Sequence, residues 1–278
     1  MTLDVRSADG TRLSVRRLGA GDPILLLHGS GGGLHSWNPL VPLLESSYEL
    51  WIPARRGHAP SDVPPTRKSF KDEVADVTAL LTAIGRPAHL VGASYGALVA
   101  LHAAAQLTPD APHAVSSSLA GDGSPAPAPL IRSVAVFEPP LFATGPRIAP
   151  LLDRYRSAWE RDDHAGMFAV LNEVTQVPAR IRAAFGTPAP NPVAATGWLH
   201  DLEALADDTP HFSPLPVPTL ILQGADTWEP MPTSMDTLAA ALPGAHRISW
   251  PGQSHFAPSA APELMATALR DFYAAQQE

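Results

Sequence analysis

Apolar positions along this chain fall into two recurrent patterns. Short continuous runs stand at Pro23 to Leu27, Glu49 to Ile52, His89 to Gly92, Ile131 to Phe137, Thr219 to Gln223 and Arg247 to Trp250. Their length suits buried strands, since a strand covered on both faces has no polar side to alternate with. Between them lie stretches with helical spacing. Ser69 to Ile84 places Val74, Val77, Leu80, Leu81 and Ile84 on one face, and Gly85 ends it. Ala97 to Leu107 and Pro262 to Tyr273 read the same way. At the start, Thr2 to Arg6 and Leu13 to Leu18 read as strands joined at the hairpin signal Asp9-Gly10. Strands alternating with helices predict an α/β fold: a mostly parallel, eight-stranded sheet with helices on both faces.

Two regions break the alternation. Pro112 to Pro129 is rich in Ser, Ala, Pro and Gly and reads as a surface loop. Residues 141–215 form a mostly helical insertion carrying Tyr155, Trp159, Met167, Phe168, Phe185 and Trp198. The expected organisation is a core of residues 1–140 and 216–278, with 141–215 as a helical cap. Its aromatic residues either pack the insertion onto the core or line a substrate cavity beneath it.

Composition narrows the classes of function. The 278 residues are 45% hydrophobic and 17% charged, enough apolar matter for a large core. A net charge of -8 offers no footprint for nucleic acid or an anionic membrane. Cysteine is absent, which removes disulfides, a thiol nucleophile and Cys-ligated metals. No signal-peptide pattern opens the chain and no apolar run is long enough for a membrane span, so the expected location is cytoplasmic. The only lysines are Lys68 and Lys71, read as a compositional bias towards Arg.

Gly92-Ala93-Ser94-Tyr95-Gly96 is the strongest local motif. It follows a strand and opens a helix, where small neighbours allow a sharp turn and the helix N-terminus favours developing negative charge. Ser94 is therefore the candidate nucleophile. His28 to Gly33 ends another strand, and the backbone N–H of Ser30, with Gly31 as second choice, is expected to join that of Tyr95 as an oxyanion hole. His28 itself reads as structural. His255, just past the last strand, is the candidate base. His246 and His89 precede their strands, His102 lies inside a helix, and His164, His200 and His211 lie in the insertion. For the acid that orients the base, Asp226 after Thr219 to Gln223 is preferred, with Glu138 the rival because it too ends a strand. Gly29, Gly31, Trp37, Trp159, Trp198, Trp228 and Phe256 are candidate pocket residues. No metal-binding, Walker or dinucleotide motif is present, so no metal or cofactor is expected.

These residues resemble the α/β-hydrolase superfamily, in particular the capped bacterial serine hydrolases of the alpha/beta-hydrolase-1 type. The matching pieces are His28-Gly29 with Trp37, Arg56-Gly57-His58 followed by Ser61-Asp62, the Ser94 motif, Gly224-Ala225-Asp226 with Pro230, and His255. In that family they imply, in order, the oxyanion loop, a structural turn, the nucleophile, the acid and the base. Ala59 replaces a glycine usual in the structural turn. A serine at position 94 disfavours epoxide opening and halide displacement, for which relatives use aspartate. The expected activity is hydrolysis of an ester, lactone or thioester of an apolar small molecule. The same residues are compatible with carbon–carbon bond hydrolysis, peracid formation or cofactor-free oxygenation, and the scaffold with a ligand receptor. Oligomeric state is not legible.

Overall fold

In a computed structural model, described for residues 1–64, 66–107, 130–185 and 191–276 (184 and 185 by backbone alone), the predicted alternation becomes one eight-stranded sheet. The strands are β1 (Thr2–Arg6), β2 (Arg12–Gly19), β3 (Asp22–Leu27), β4 (Tyr48–Pro53), β5 (Ala88–Ala93), β6 (Ile131–Phe137), β7 (Thr219–Gly224) and β8 (His246–Trp250). Their order across the sheet is β1-β2-β4-β3-β5-β6-β7-β8. β1–β2 and β2–β4 pair antiparallel, and every later pair is parallel. From β3 the chain moves outward to β4, then crosses back to β5 on the other side. The carboxyl ends of β3 and β5 thus flank a topological switch point, where open α/β sheets leave a crevice.

The apolar runs are continuous because both faces of the central strands are covered. Side chains alternate across a strand, so Leu25 and Leu27 face one way while Ile24 and Leu26 face the other. The first pair joins a core with α2 (Phe70–Ile84) and α3 (Tyr95–Leu107), including Val77, Leu80 and Leu98. The second joins Leu40, Leu44, Met265 and Leu269. Two of these lie on α10 (Pro262–Ala274), and Leu44 ends the short α1 (Val41–Leu44). Local signals set the helix ends. Ser69 and Asp72 form a reciprocal capping box at the start of α2, and Gly85 ends it in the left-handed conformation with φ of 73°.

Between β6 and β7 lie α4 (Ala149–Glu160), α5 (His164–Thr175), α6 (Ala179–Phe185) and α7 (Pro192–Asp207). After β7 come α8 (Met231–Ala241) and, past β8, α9 (Ala257–Ala260) before α10. The loop expected at Pro112 to Pro129 lies outside the described residues. No helix among the described residues is long and apolar enough to cross a membrane.

Three histidines are sealed in this core. His28 follows β3, its Nδ1 is 2.7 Å from the Gly29 carbonyl, and its Nε2 accepts the Arg55 backbone N–H at 3.1 Å. His89 meets the Ser133 hydroxyl at 2.7 Å and stacks on Tyr273 at 3.7 Å between ring centres. His58 lies in the turn after β4, edge-on to His28. Burial pushes all three below the usual 6.5, assisted by Arg55 at His28 and His58 and by Arg132 at His89, which falls to about 4. The unfolded chain therefore binds protons that the folded chain refuses. The stability so held is full above pH 6.5 and is lost as pH falls towards about 4. The urea midpoint is expected to drop steadily between pH 6.5 and pH 5; a flat midpoint across that window would contradict the neutral, buried imidazoles.

Candidate functional site

Ser94 stands between β5 and α3 with φ of 53°, a left-handed conformation that a serine adopts only under constraint. Its N–H donates to the Phe137 carbonyl at 2.8 Å, and its own carbonyl accepts from Ala97 at 2.9 Å. The turn is tight because Gly92 and Gly96 lack side chains. A methyl on Gly92 would fall on the Gly96 carbonyl, and one on Gly96 on the carbonyls of Leu27 and His28. The start of α3 thereby rests directly on the end of β3. Gly29 also lies close, since a methyl there would come within 3.1 Å of Ser94 Cβ.

His255 follows β8 and is partly exposed, with 21% of its side chain accessible. Its Nδ1 lies 2.6 Å from Glu138 Oε2. Glu138 immediately follows β6, is fully buried, and holds φ of 43°. Its Oε1 accepts the Gly224 N–H at 2.8 Å, and its Oε2 also accepts the Thr227 hydroxyl at 3.2 Å. Each oxygen of this carboxylate thus accepts one bond from its surroundings, and the imidazole takes a further lone pair on Oε2. Facing an acceptor, Nδ1 carries the proton, which leaves Nε2 with its lone pair.

This arrangement corrects the preference for Asp226. Asp226 is exposed, its N–H donates to Gln253 O at 2.8 Å, and its Oδ1 accepts the Gly252 N–H at 3.3 Å. It braces the turn after β8, and among the described residues it makes no hydrogen bond to the imidazole. Both acids end strands, so spacing could not separate them. The signal available in sequence was the carboxylate of Glu138 at the end of an otherwise apolar run.

Ser94 and His255 line one cavity of about 550 Å³. Ser30 and Tyr95 line it too, as do the pocket candidates Gly29, Trp198, Trp228 and Phe256. Met167 and Phe168 of the insertion line it together with Phe142 and Leu171, which the sequence reading did not name, and no Asp or Glu lines it among the described residues. Gly31 sits against the Trp198 indole rather than on the cavity wall. Two candidates fall elsewhere. Trp37 is buried in the core beside α1 and α10, and Trp159 is 40% exposed on α4 away from the cavity. Trp37 follows an apolar logic and Trp159 the polar face of its helix; aromatic identity alone could not reveal this. Among the described residues no group of acidic and His side chains is arranged to hold a metal.

With this geometry in view, comparison with known proteins is decisive at the level of family. Residues 24–268 match the model of the alpha/beta hydrolase family. The chain belongs to that family. An alpha/beta hydrolase from Sphaerobacter thermophilus is 25% identical with a TM-score of 0.74, over 98% of this chain and 100% of that one. A thermophilic esterase from Thermogutta terrifontis is 19% identical with a TM-score of 0.74, covering 100% of both chains. The enol-lactonase from Burkholderia xenovorans is 21% identical with a TM-score of 0.69, over 97% of this chain and 99% of that one. The latter two likenesses are of fold. No curated protein matches.

The 2.6 Å contact is testable without a substrate. A proton held between imidazole and carboxylate at that distance should resonate far downfield in proton NMR. Glu138→Gln is expected to abolish the signal and Asp226→Asn to leave it; the reverse pattern would return the acid's position to Asp226.

Proposed function

We propose that this alpha/beta hydrolase is a serine hydrolase that cleaves an ester, or a related lactone or thioester, of an apolar small molecule. The observation that carries the reading is the imidazole of His255 held by buried Glu138 in the cavity where Ser94 stands on its constrained turn.

The chemistry follows from these positions. Nε2 of His255 takes the Ser94 hydroxyl proton as Oγ attacks the carbonyl carbon. Negative charge gathers on the carbonyl oxygen, where the N–H groups of Ser30 and Tyr95 receive it. The Ser94 turn sits at the N-terminus of α3, which favours that charge. The imidazolium then protonates the departing alcohol, and the acyl group stays on Ser94. Water attacks this acyl-enzyme, giving its proton to the same nitrogen, and the acid leaves as Oγ recovers its hydrogen. Glu138 fixes the ring's tautomer and offsets the positive charge that the ring carries between steps.

The cavity supports the apolar part of the reading. Phe142, Met167, Phe168, Leu171, Trp198 and Trp228 surround the space above Ser94. The helical segment of residues 141–215 supplies most of them, and in this reading it acts as the cap that shapes specificity.

Wild-type protein is expected to hydrolyse p-nitrophenyl esters and to be labelled by a fluorophosphonate probe. Ser94→Ala should lose both. Glu138→Ala should lose roughly 10⁴-fold in kcat, whereas Asp226→Ala should retain most of it. Equal rates for wild type and Ser94→Ala would defeat the proposal. In an acyl series, kcat/KM should rise about fourfold per methylene until the cavity is filled, the equivalent of about 0.8 kcal/mol each. Indifference to chain length would remove the apolar substrate.

A further inference from the structure

Beneath the Ser94 turn lies a closed cluster of charges that the chemistry above does not use. Arg55, Lys68, Glu73 and Asp201 are each at most 2% exposed. Two cations and two carboxylates balance, and His58 beside them is neutral because burial pushes its pKa down. Burial alone would push the pKa of each carboxylate up, but the neighbouring cations hold both below their usual values. Glu73 comes from α2, Arg55 from the turn after β4, and Asp201 from α7 in the segment between β6 and β7.

Arg55 meets carboxylates on one side and backbone carbonyls on the other; besides Asp201, its Nη1 donates to Glu73 Oε1 at 2.6 Å, and its Nη2 lies 3.2 Å from His58 Nε2. Asp201 grips it bidentately, with Nη1 donating at 3.0 Å and Nη2 at 2.8 Å. Its Nε donates to the His28 carbonyl at 2.9 Å, and Nη2 also reaches the Gly29 carbonyl at 3.4 Å. Those carbonyls immediately precede Ser30. The guanidinium lies 4.2 Å from the centre of the Tyr95 ring, with Lys68 Nζ at 4.9 Å from it. Among the described residues the Tyr95 hydroxyl has no hydrogen-bond partner, and its ring is placed by these cations and by stacking on Phe70 at 5.0 Å. One guanidinium therefore touches the Tyr95 ring and the Gly29 carbonyl, whose peptide carries the Ser30 N–H, so it borders both N–H groups that the proposed mechanism uses.

α7 is itself set down closely on the core. A methyl on Gly197 would meet the His58 ring, one on Gly57 would lie 3.3 Å from His200, and one on Gly31 would lie 2.7 Å from the Trp198 indole nitrogen. Trp198 lines the cavity one turn before Asp201. The helix that shapes the pocket thus also carries the anion that aims Arg55.

We propose that Arg55, aimed by Asp201, is a positioning residue that holds the two oxyanion donors at Ser30 and Tyr95 in register. The inference rests on the serine hydrolase reading. Loss of the Asp201 charge removes the bidentate partner and leaves Glu73 as the one carboxylate on the guanidinium, so the donors loosen where the oxyanion forms while the cavity still binds substrate.

The test compares Asp201→Asn with Asp76→Asn. Asp76 is also buried and pairs bidentately with Arg56 at 2.7 and 2.6 Å, but the other hydrogen bonds of the Arg56 side chain go to Asp9 and Ser7, away from the Ser30 loop. Both variants should lower Tm. Asp201→Asn is expected to lower kcat for a p-nitrophenyl ester about tenfold with KM within about twofold, a partial loss of the effect of deleting one donor. Its affinity for a trifluoromethyl ketone, which adds Ser94 Oγ to its carbonyl carbon and leaves an oxyanion, should fall by the same factor. Asp76→Asn should keep both. If Asp201→Asn does not fold, Arg55→Lys keeps the charge, removes the fork, and must show the same paired loss. Unchanged kcat and ketone affinity in the folded variant would overturn the proposal, as would equal losses in Asp76→Asn. Failure of the hydrolase reading is separate: it shows as wild type inert to esters and to fluorophosphonate, and it takes this proposal with it.

Discussion

The site depends on backbone packing against backbone where α3 leaves β5. With hydrogens in place of side chains at Gly92 and Gly96, the first turn of α3 rests on the carbonyls that end β3. That contact brings Ser94 beside Gly29 and Ser30 without any long side chain having to bridge the gap. It also accounts for the left-handed serine, since the strand can enter the helix in so short a distance only through an unusual φ. Strain is tolerated there because the Ser94 N–H and carbonyl are both satisfied, by Phe137 and by α3.

Strand order then decides which distant residues meet. β6 lies next to β5, with β7 and β8 beyond it. A side chain leaving β6 reaches a point between Ser94 and the loop after β8, and Glu138 is there, buried and bonded to Gly224 and Thr227. Asp226 leaves β7 but is turned towards Gly252 and Gln253. A buried carboxylate anchored by bonds on both oxygens is a more rigid support for an imidazole than an exposed one, which water would solvate.

The charge cluster around Arg55 is expensive to desolvate and is repaid only by its completeness. Every member has an opposite charge within hydrogen-bond reach. Such networks favour one arrangement of the elements that supply them, here α2, the turn after β4 and α7. The segment between β6 and β7 is accordingly joined to the core by ion pairs and close glycine contacts, besides apolar packing.

Much was legible from the chain alone. Apolar runs located the described strands to within a residue or two, because burial on both faces demands continuity. The capping pair Ser69 and Asp72 and the stop at Gly85 are local signals, readable wherever they occur. Ser94 and His255 were legible because a glycine-flanked turn and a loop after the last strand are themselves local features. The choice between Glu138 and Asp226 was not, nor were the places of Trp37 and Trp159, nor the union of Arg55, Lys68 and Asp201. Each depends on which strand lies beside which and which face of a helix is covered. A carboxylate's partner is set by a few ångströms across the sheet, and spacing along one strand carries no measure of that distance.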